Sequence, residues 1–365
     1  MIKKSSLNET ILIFAVCLAV LTQFPDVNKN VLSTVNYGVW IFLLGYTLLR
    51  DFTVYASRNL YFMVGFTGVS FVISIIFEAT GFYWMRYSFI EIMIIPMLVY
   101  YICYRVALDS DGFSDSIIDR VIKSYCVMTL IMAIQISLKF VTNFSSWQHT
   151  ETYLYVGGTH KNSTAQILGV CFVVILNYFE PEKLLRKLIK WISLGLILVA
   201  MLYVQSRAAL IAVAACIIIN VFLRKELKFS IKYAAAIICL ALIAFSIPEV
   251  KKIVMQAFFV DKYLVNGSLD MNKFSSGRLG YWEATWRQFC DSPFWGVGQT
   301  YCDNFYINVL ACGGLFLGSP LIVYFMLRLY RNYKYIKDYA STYEAVMDYG
   351  IIKTLAIVSF YYFIF

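Results

Sequence analysis

Apolar runs of near-bilayer length recur along almost the whole chain, at residues 7–24, 31–49, 60–77, 89–107, 121–140, 164–179, 191–205, 208–223, 233–248, 304–327 and 350–365. In hydrocarbon every backbone N–H and C=O must find its partner inside the protein, and about twenty helical residues cross a bilayer. With 60% hydrophobic residues and a mean hydropathy of +0.69, a soluble globular fold is excluded. The expected fold is all-α: a polytopic transmembrane helix bundle of about eleven spans, forming a single integral membrane domain over residues 1–365. Several runs fall short of full length, which tilt or local thinning accommodates. No internal repeat and no Pro/Gly/Ser-rich linker divides the chain. The first run follows two lysines, as in a secretory signal, but no small-residue cleavage pattern closes it, so it reads as an uncleaved first span.

Orientation follows from the basic residues, because cytoplasmic loops retain Lys and Arg. With the amino terminus inside, twenty basic residues fall on the inner side and five outside, leaving aside one long loop that is a poor reporter of topology. The net charge of +9 is therefore mostly topological. It gives no reason to expect nucleic acid, and inner clusters such as 183–190 are placed to meet anionic lipid headgroups.

That long loop, residues 249–303, breaks the pattern of spans and short turns. It is expected outside the membrane, with short helices of its own, and long ordered loops commonly carry function. Within it, Ser275, Ser276 and Gly277 supply capping chemistry before a helix beginning near Arg278. Leu279, Trp282, Trp286 and Phe289 recur at helical spacing on one face, with Arg278, Glu283 and Arg287 as its polar residues. Such a helix would lie along the outer interface. Asp291, Pro293, Gly296 and Gly298 then stop it, and Asp303 and Asn304 open the next span, whose Gly314 and Gly318 form a GxxxG pattern suited to close helix packing. Cys290 and Cys302 flank the turn. An oxidising exterior permits a disulfide between them, and two free thiols are equally compatible with the spacing.

The chemistry points to an anionic, lipid-linked substrate. Arginine is always charged and its planar fork grips phosphate oxygens in pairs. Arg207, in the nearly loop-free step YVQSRAALIA, and Arg278 together could hold a pyrophosphate and neutralise it as it leaves; Arg207 read blandly is a snorkelling anchor at a helix end. Group transfer also needs a base within reach of the incoming hydroxyl. Asp303 is the candidate, with a helix N-cap as its alternative role. No metal is expected: no HExxH or paired CxxC occurs, and His149 and His160 are a weak ligand set. Asp109 and Asp111 read as a solvated inner turn, and Glu91 as an acid paired with Arg86. The outer aromatics, Trp147, Tyr153, Tyr155, Trp282, Trp286 and Trp295, suit an interfacial belt or stacking on sugars.

The set Arg278, Trp282, Pro293, Gly296, Gly298, Asp303, Asn304, Tyr306, Gly314 and Gly318 resembles the late segment of the bacterial O-antigen ligases and the related surface-polysaccharide polymerases. Ser206 and Arg207 look like that family's Ser-Arg step between two spans. GGTHKNSTAQILG, with Asn162, looks like its asparagine-bearing outer segment. The resemblance covers roughly the second half of the chain. It implies a metal-independent, cofactor-free glycosyltransferase in the bacterial cytoplasmic membrane, acting at the outer face on oligosaccharides carried by undecaprenyl pyrophosphate, with a flippase and a chain-length regulator as partners. Carried over by position, Arg207 and Arg278 would bind pyrophosphate, and Asp303 would stand where ligases have the histidine of a His-Asn pair. His160, Lys161, Asn162, Trp282, Arg287, Asn304 and Tyr306 would contact substrate. The aspartate favours a polymerase over a ligase. A ligase for another acceptor, a flippase with cations at mid-membrane, and a structural membrane partner are the alternatives.

Overall fold

In a computed structural model, residues 4–25, 27–50, 58–79, 98–99, 101–103, 115–142, 161–179, 183–222, 246, 248, 251, 264–265, 268–269, 277–298, 300, 302, 304–342, 353–354, 357–359 and 361 are described. Apart from turns and connecting residues they are helical, except for one short antiparallel ladder, β1 (Leu264–Val265) with β2 (Ser268–Leu269). The helices are α1 (Lys4–Leu21), α2 (Lys29–Arg50), α3 (Arg58–Ala79), α4 (Asp115–Thr142), α5 (Lys161–Tyr178), α6 (Leu184–Val204), α7 (Arg207–Phe222), α8 (Arg278–Asp291), α9 (Phe305–Gly313), a π-helical turn (Gly314–Gly318) and α10 (Ser319–Thr342). Four stretches are long and apolar enough to cross a membrane: Asn30–Leu49, Ile117–Thr142, Leu184–Val204 and Phe305–Lys334. Shorter apolar helices run over Glu9–Leu21, Leu60–Val69, Asn162–Tyr178 and Arg207–Ile219. The chain is thus a multi-pass membrane protein, and most of its expected spans lie on these helices. Those expected at 89–107, 233–248 and 350–365 fall largely outside the described residues.

The chain divides into two compact units. One comprises Glu9–Val39, Asp115–Asp261 and Leu329–Phe365. Its core is built from α1, α4, α5, α6 and α7, with Met132, Ile136, Leu168, Ile197 and Met201 fully buried. Packing is close enough that a Cβ at Gly169 would collide with the ring of the buried Tyr361. Ion pairs and caps gather at the helix ends that the basic-residue distribution assigns to the cytoplasm. Arg120 meets Glu9 at 2.7 Å, and Tyr178 donates to Asp119 at 2.8 Å. Lys190 Nζ donates to the carbonyls of Leu176 and Phe179 at 2.8 and 2.6 Å, closing the carboxyl end of α5, where a cation also suits the helix dipole. Within the 183–190 cluster, then, Lys190 turns inward, and Lys183, Arg186 and Lys187 stay exposed among equally exposed leucines. That mixture is what a helix entering lipid through a charged headgroup layer requires.

The other unit comprises Met1–Asn8, Trp40–Ser114 and Lys262–Arg328. Its core is small: Val309, Cys312, Leu317 and Leu321, packed on Phe66 and Ile73 of α3. Phe62 stacks on Tyr324, with ring centroids 4.2 Å apart. Here α8 packs against α9, and α9 breaks at Gly313–Gly314 before the chain resumes as α10.

Candidate functional site

In the first unit the chemistry collects at one corner. Helix α6 ends at Val204, and Gln205 takes the left-handed conformation (φ 57, ψ 37) that closes it, donating its N–H to the carbonyls of Met201 and Leu202. This terminal geometry normally belongs to glycine, because a Cβ there costs about 1–2 kcal/mol. Ser206 follows, and its carbonyl starts α7 by accepting from Leu210 N–H at 3.2 Å. Arg207 is the first residue of α7 and is half-buried. Ser206 is itself 2% exposed, and its Oγ lies 3.3 Å from Oδ1 of Asn162, the second residue of α5. One hydrogen bond therefore joins two segments that lie 44 residues apart in sequence. It also sets the amino ends of α5 and α7 side by side, where the helix dipoles favour an anion.

In the second unit, helix α8 is present as the spacing predicts, but its faces divide differently. Gly277 (φ 80) precedes it with no side-chain cap, and Ser275 and Ser276 lie outside the described residues. Arg278, Trp282, Thr285 and Phe289 form the half-buried or buried stripe, with Thr285 the most enclosed. Arg287 is on the opposite, exposed face, paired with Glu283 at 2.5 Å in an i,i+4 ion pair. Trp286 and Tyr281 are exposed as well. Grouping Arg278 with Glu283 and Arg287 is therefore corrected: Arg278 shares the packed stripe, and Arg287 has its charge matched by a neighbour on the surface.

Residues 292–298 then strap across the broken span. Val297 and Gly298 donate to the carbonyls of Ala311 and Cys312 at 2.8 and 3.1 Å, and Leu315 and Phe316 donate to those of Pro293 and Phe294 at 2.8 and 3.0 Å. A helix interrupted inside a membrane protein must re-satisfy the freed backbone groups, and the strap does so. It fits only without side chains at the crossings. A Cβ at Gly296 (φ 77) would strike the Cys312 carbonyl, and one at Gly314 (φ 59) the Phe294 carbonyl. The expected GxxxG helix-packing role of Gly314 and Gly318 is corrected accordingly. Gly314 makes the break and receives the strap, and Gly318 passes close to the Val309 carbonyl of its own span.

The span's start is held by two asparagines. Asn304 is the N-cap, its Oδ1 accepting from the N–H groups of Tyr306 and Ile307 at 3.1 Å each. The capping alternative weighed for Asp303 is thereby filled by the next residue; Asp303 itself lies outside the described residues. One turn on, Asn308 Oδ1 accepts from the Cys302 N–H at 3.2 Å, a contact that nothing in the sequence pattern signalled. Cys290 is exposed and Cys302 buried, and both are free thiols. Tyr306 is half-buried beside Phe305. His160, like His149, is outside the described residues, as are Trp147, Tyr153, Tyr155, Glu91, Arg86, Asp109 and Asp111; of Lys161 only the backbone is described, in the first turn of α5. Gln205 escaped the sequence reading altogether. It is 6% exposed, and its side-chain amide has no hydrogen-bond partner among the described residues.

No curated protein matches the chain. The family model described as O-antigen ligase matches residues 192–321. That interval begins in α6, contains Gln205 to Arg207, Arg278, Trp282, Arg287, the strap, Asp303, Asn304, Tyr306 and the broken span, and leaves out the segment around Asn162. Over residues 192–321 this chain is similar to the O-antigen ligase family.

Proposed function

We propose that this protein is a surface-polysaccharide polymerase, which transfers a growing glycan from undecaprenyl pyrophosphate to the terminal sugar of another lipid-linked repeat unit at the outer face of the bacterial cytoplasmic membrane. The observation that carries the reading is the Ser206–Asn162 hydrogen bond. It joins two motifs of the resemblance and sets two helix amino ends beside Arg207, a combination suited to a phosphate group. In the reaction, Asp303 takes the proton of the acceptor hydroxyl as its oxygen bonds to the anomeric carbon. The bond from that carbon to the pyrophosphate oxygen breaks, and the electron pair leaves with the polyprenyl pyrophosphate. Arg207 and Arg278 stabilise that leaving charge, a task in which preorganised cations contribute most when water is excluded. Asn162, with His160 and Lys161 beside it, and Trp282, Asn304 and Tyr306 contact the substrate. The aspartate at 303, where ligases carry histidine, favours polymerase over ligase.

The deciding experiment is a gel of surface polysaccharide from cells lacking the gene, beside the same cells with it restored. A ladder that collapses to a single repeat identifies a polymerase. Loss of every attached repeat, with lipid-linked polymer accumulating on the outer leaflet, identifies a ligase. An unchanged ladder overturns both.

A further inference from the structure

We propose that Gln205 contacts substrate, its amide hydrogen-bonding the sugar attached directly to the pyrophosphate of the lipid-linked donor. The inference rests on the reading that Arg207 engages that pyrophosphate.

Gln205 occupies a position where the backbone has no use for its side chain. The main-chain N–H closes α6, and glycine would do the same without the strain of a positive φ. Among the described residues Gln205 alone, apart from glycine, has a positive φ. Its side chain is enclosed yet has no hydrogen-bond partner among the described residues. An amide so largely enclosed with no protein partner calls for an explanation. The unpaired oxygens of Gln23, Asn36 and Asn177 are sealed from outside, whereas the polar atoms of Gln205 keep some access. An amide that is enclosed, unpaired and still reachable is arranged to bind something that arrives.

Its place and chemistry specify what. Gln205 precedes Ser206, which is bonded to Asn162, and is two residues from Arg207 at the amino end of α7. A phosphate only accepts hydrogen bonds, and arginine and helix N–H groups serve it. A carboxamide both donates and accepts, matching the hydroxyl or acetamido groups of a sugar. The sugar one bond from the pyrophosphate is the part of the donor next to Arg207. Sites built to hydrogen-bond a substrate group discriminate strongly against analogues lacking it, so Gln205 would select the first sugar of the repeat unit.

The test uses full-length protein in lipid nanodiscs, with lipid-linked repeat units extracted from cells lacking the gene, and reads KM, kcat and melting temperature for Gln205→Gly. The expected result is a KM raised about tenfold or more, a kcat changed much less, and a melting temperature equal to or above wild type. Wild-type KM with wild-type kcat overturns the proposal. So does a melting temperature that falls in step with activity, which would make Gln205 a structural cap. Arg207→Ala in the same assay separates the two layers of inference. If it is inactive while Gln205→Gly is normal, only the role of Gln205 fails. If Arg207→Ala elongates glycan normally, the reading of the site fails with it.

Discussion

Arg278 and Arg287 lie on one helix and have the same side chain, yet their surroundings give them opposite expectations. Arg287 is an exposed partner of Glu283, and such i,i+4 surface pairs contribute about 0.3–0.5 kcal/mol. Arg287→Ala should leave the polysaccharide ladder intact and shift stability by no more than that, as read by thermal melting in detergent. Arg278 shares the packed stripe of α8, and Arg278→Ala should abolish polymer while the protein stays in the membrane at normal level. Arg278→Lys should recover little, since an ammonium cannot grip two phosphate oxygens in a fork; full activity in the lysine variant would mean that a point charge suffices. Asp303→Asn keeps shape and removes the charge, so it should stop elongation if residue 303 is the base. These expectations depend on which face each residue occupies, and the sequence was only partly informative there. Periodicity placed the helix and its start correctly. Residue type then grouped Arg278 with the other charged positions, although a step of four to Trp282, three to Thr285 and four to Phe289 puts all four on one stripe.

At the scale of elements, the broken span and its strap depend on glycines for two different reasons. Gly277 and Gly296 both have positive φ, at 80 and 77. Nothing lies within 4 Å of a Cβ built on Gly277, whereas one on Gly296 would meet the Cys312 carbonyl. Gly277→Ala should therefore cost only the left-handed backbone term, about 1–2 kcal/mol. Gly296→Ala should add the loss of the strap's hydrogen bonds, each worth about 1 kcal/mol net and more when a buried partner is left unpaired. The expected readout is a detergent-extracted protein that melts several degrees lower for Gly277→Ala and fails to accumulate for Gly296→Ala. Equal behaviour of the two would mean that the strap contributes nothing. The turn chemistry of DSPFWGVG was legible, and so was the helix that follows Asn304, because proline, glycine and capping residues act on their own neighbourhood. What the strap pairs with was not legible: its partners are main-chain groups of a span further along the chain, and backbone carries no sequence signature. For the same reason Gln205 went unnoticed, since nothing in its type announces a positive φ.

For the molecule as a whole, the hydropathy of the runs fixed the class, and charge supplies the expected orientation. Twenty basic residues on one side against five on the other, outside the long loop, amount to a strong bias. That argument concerns insertion and is independent of any side-chain contact, so it can be tested separately from the chemistry. Cys290 sits exposed near the carboxyl end of α8, and Cys302 is buried. If the long loop is extracytoplasmic, a membrane-impermeant maleimide added to intact spheroplasts should label a variant retaining Cys290 alone, and a variant retaining Cys302 alone should stay unlabelled until denatured. Labelling of Cys290 only after permeabilisation would put α8 and Arg278 in the cytoplasm. The proposed transfer at the outer face would then fail whatever the arginine variants did, because the glycan would have to be polymerised before it crossed the membrane. Labelling from outside, combined with loss of polymer in Arg278→Ala, would place a required cation on the side of the membrane where lipid-linked repeat units are joined under the proposed mechanism.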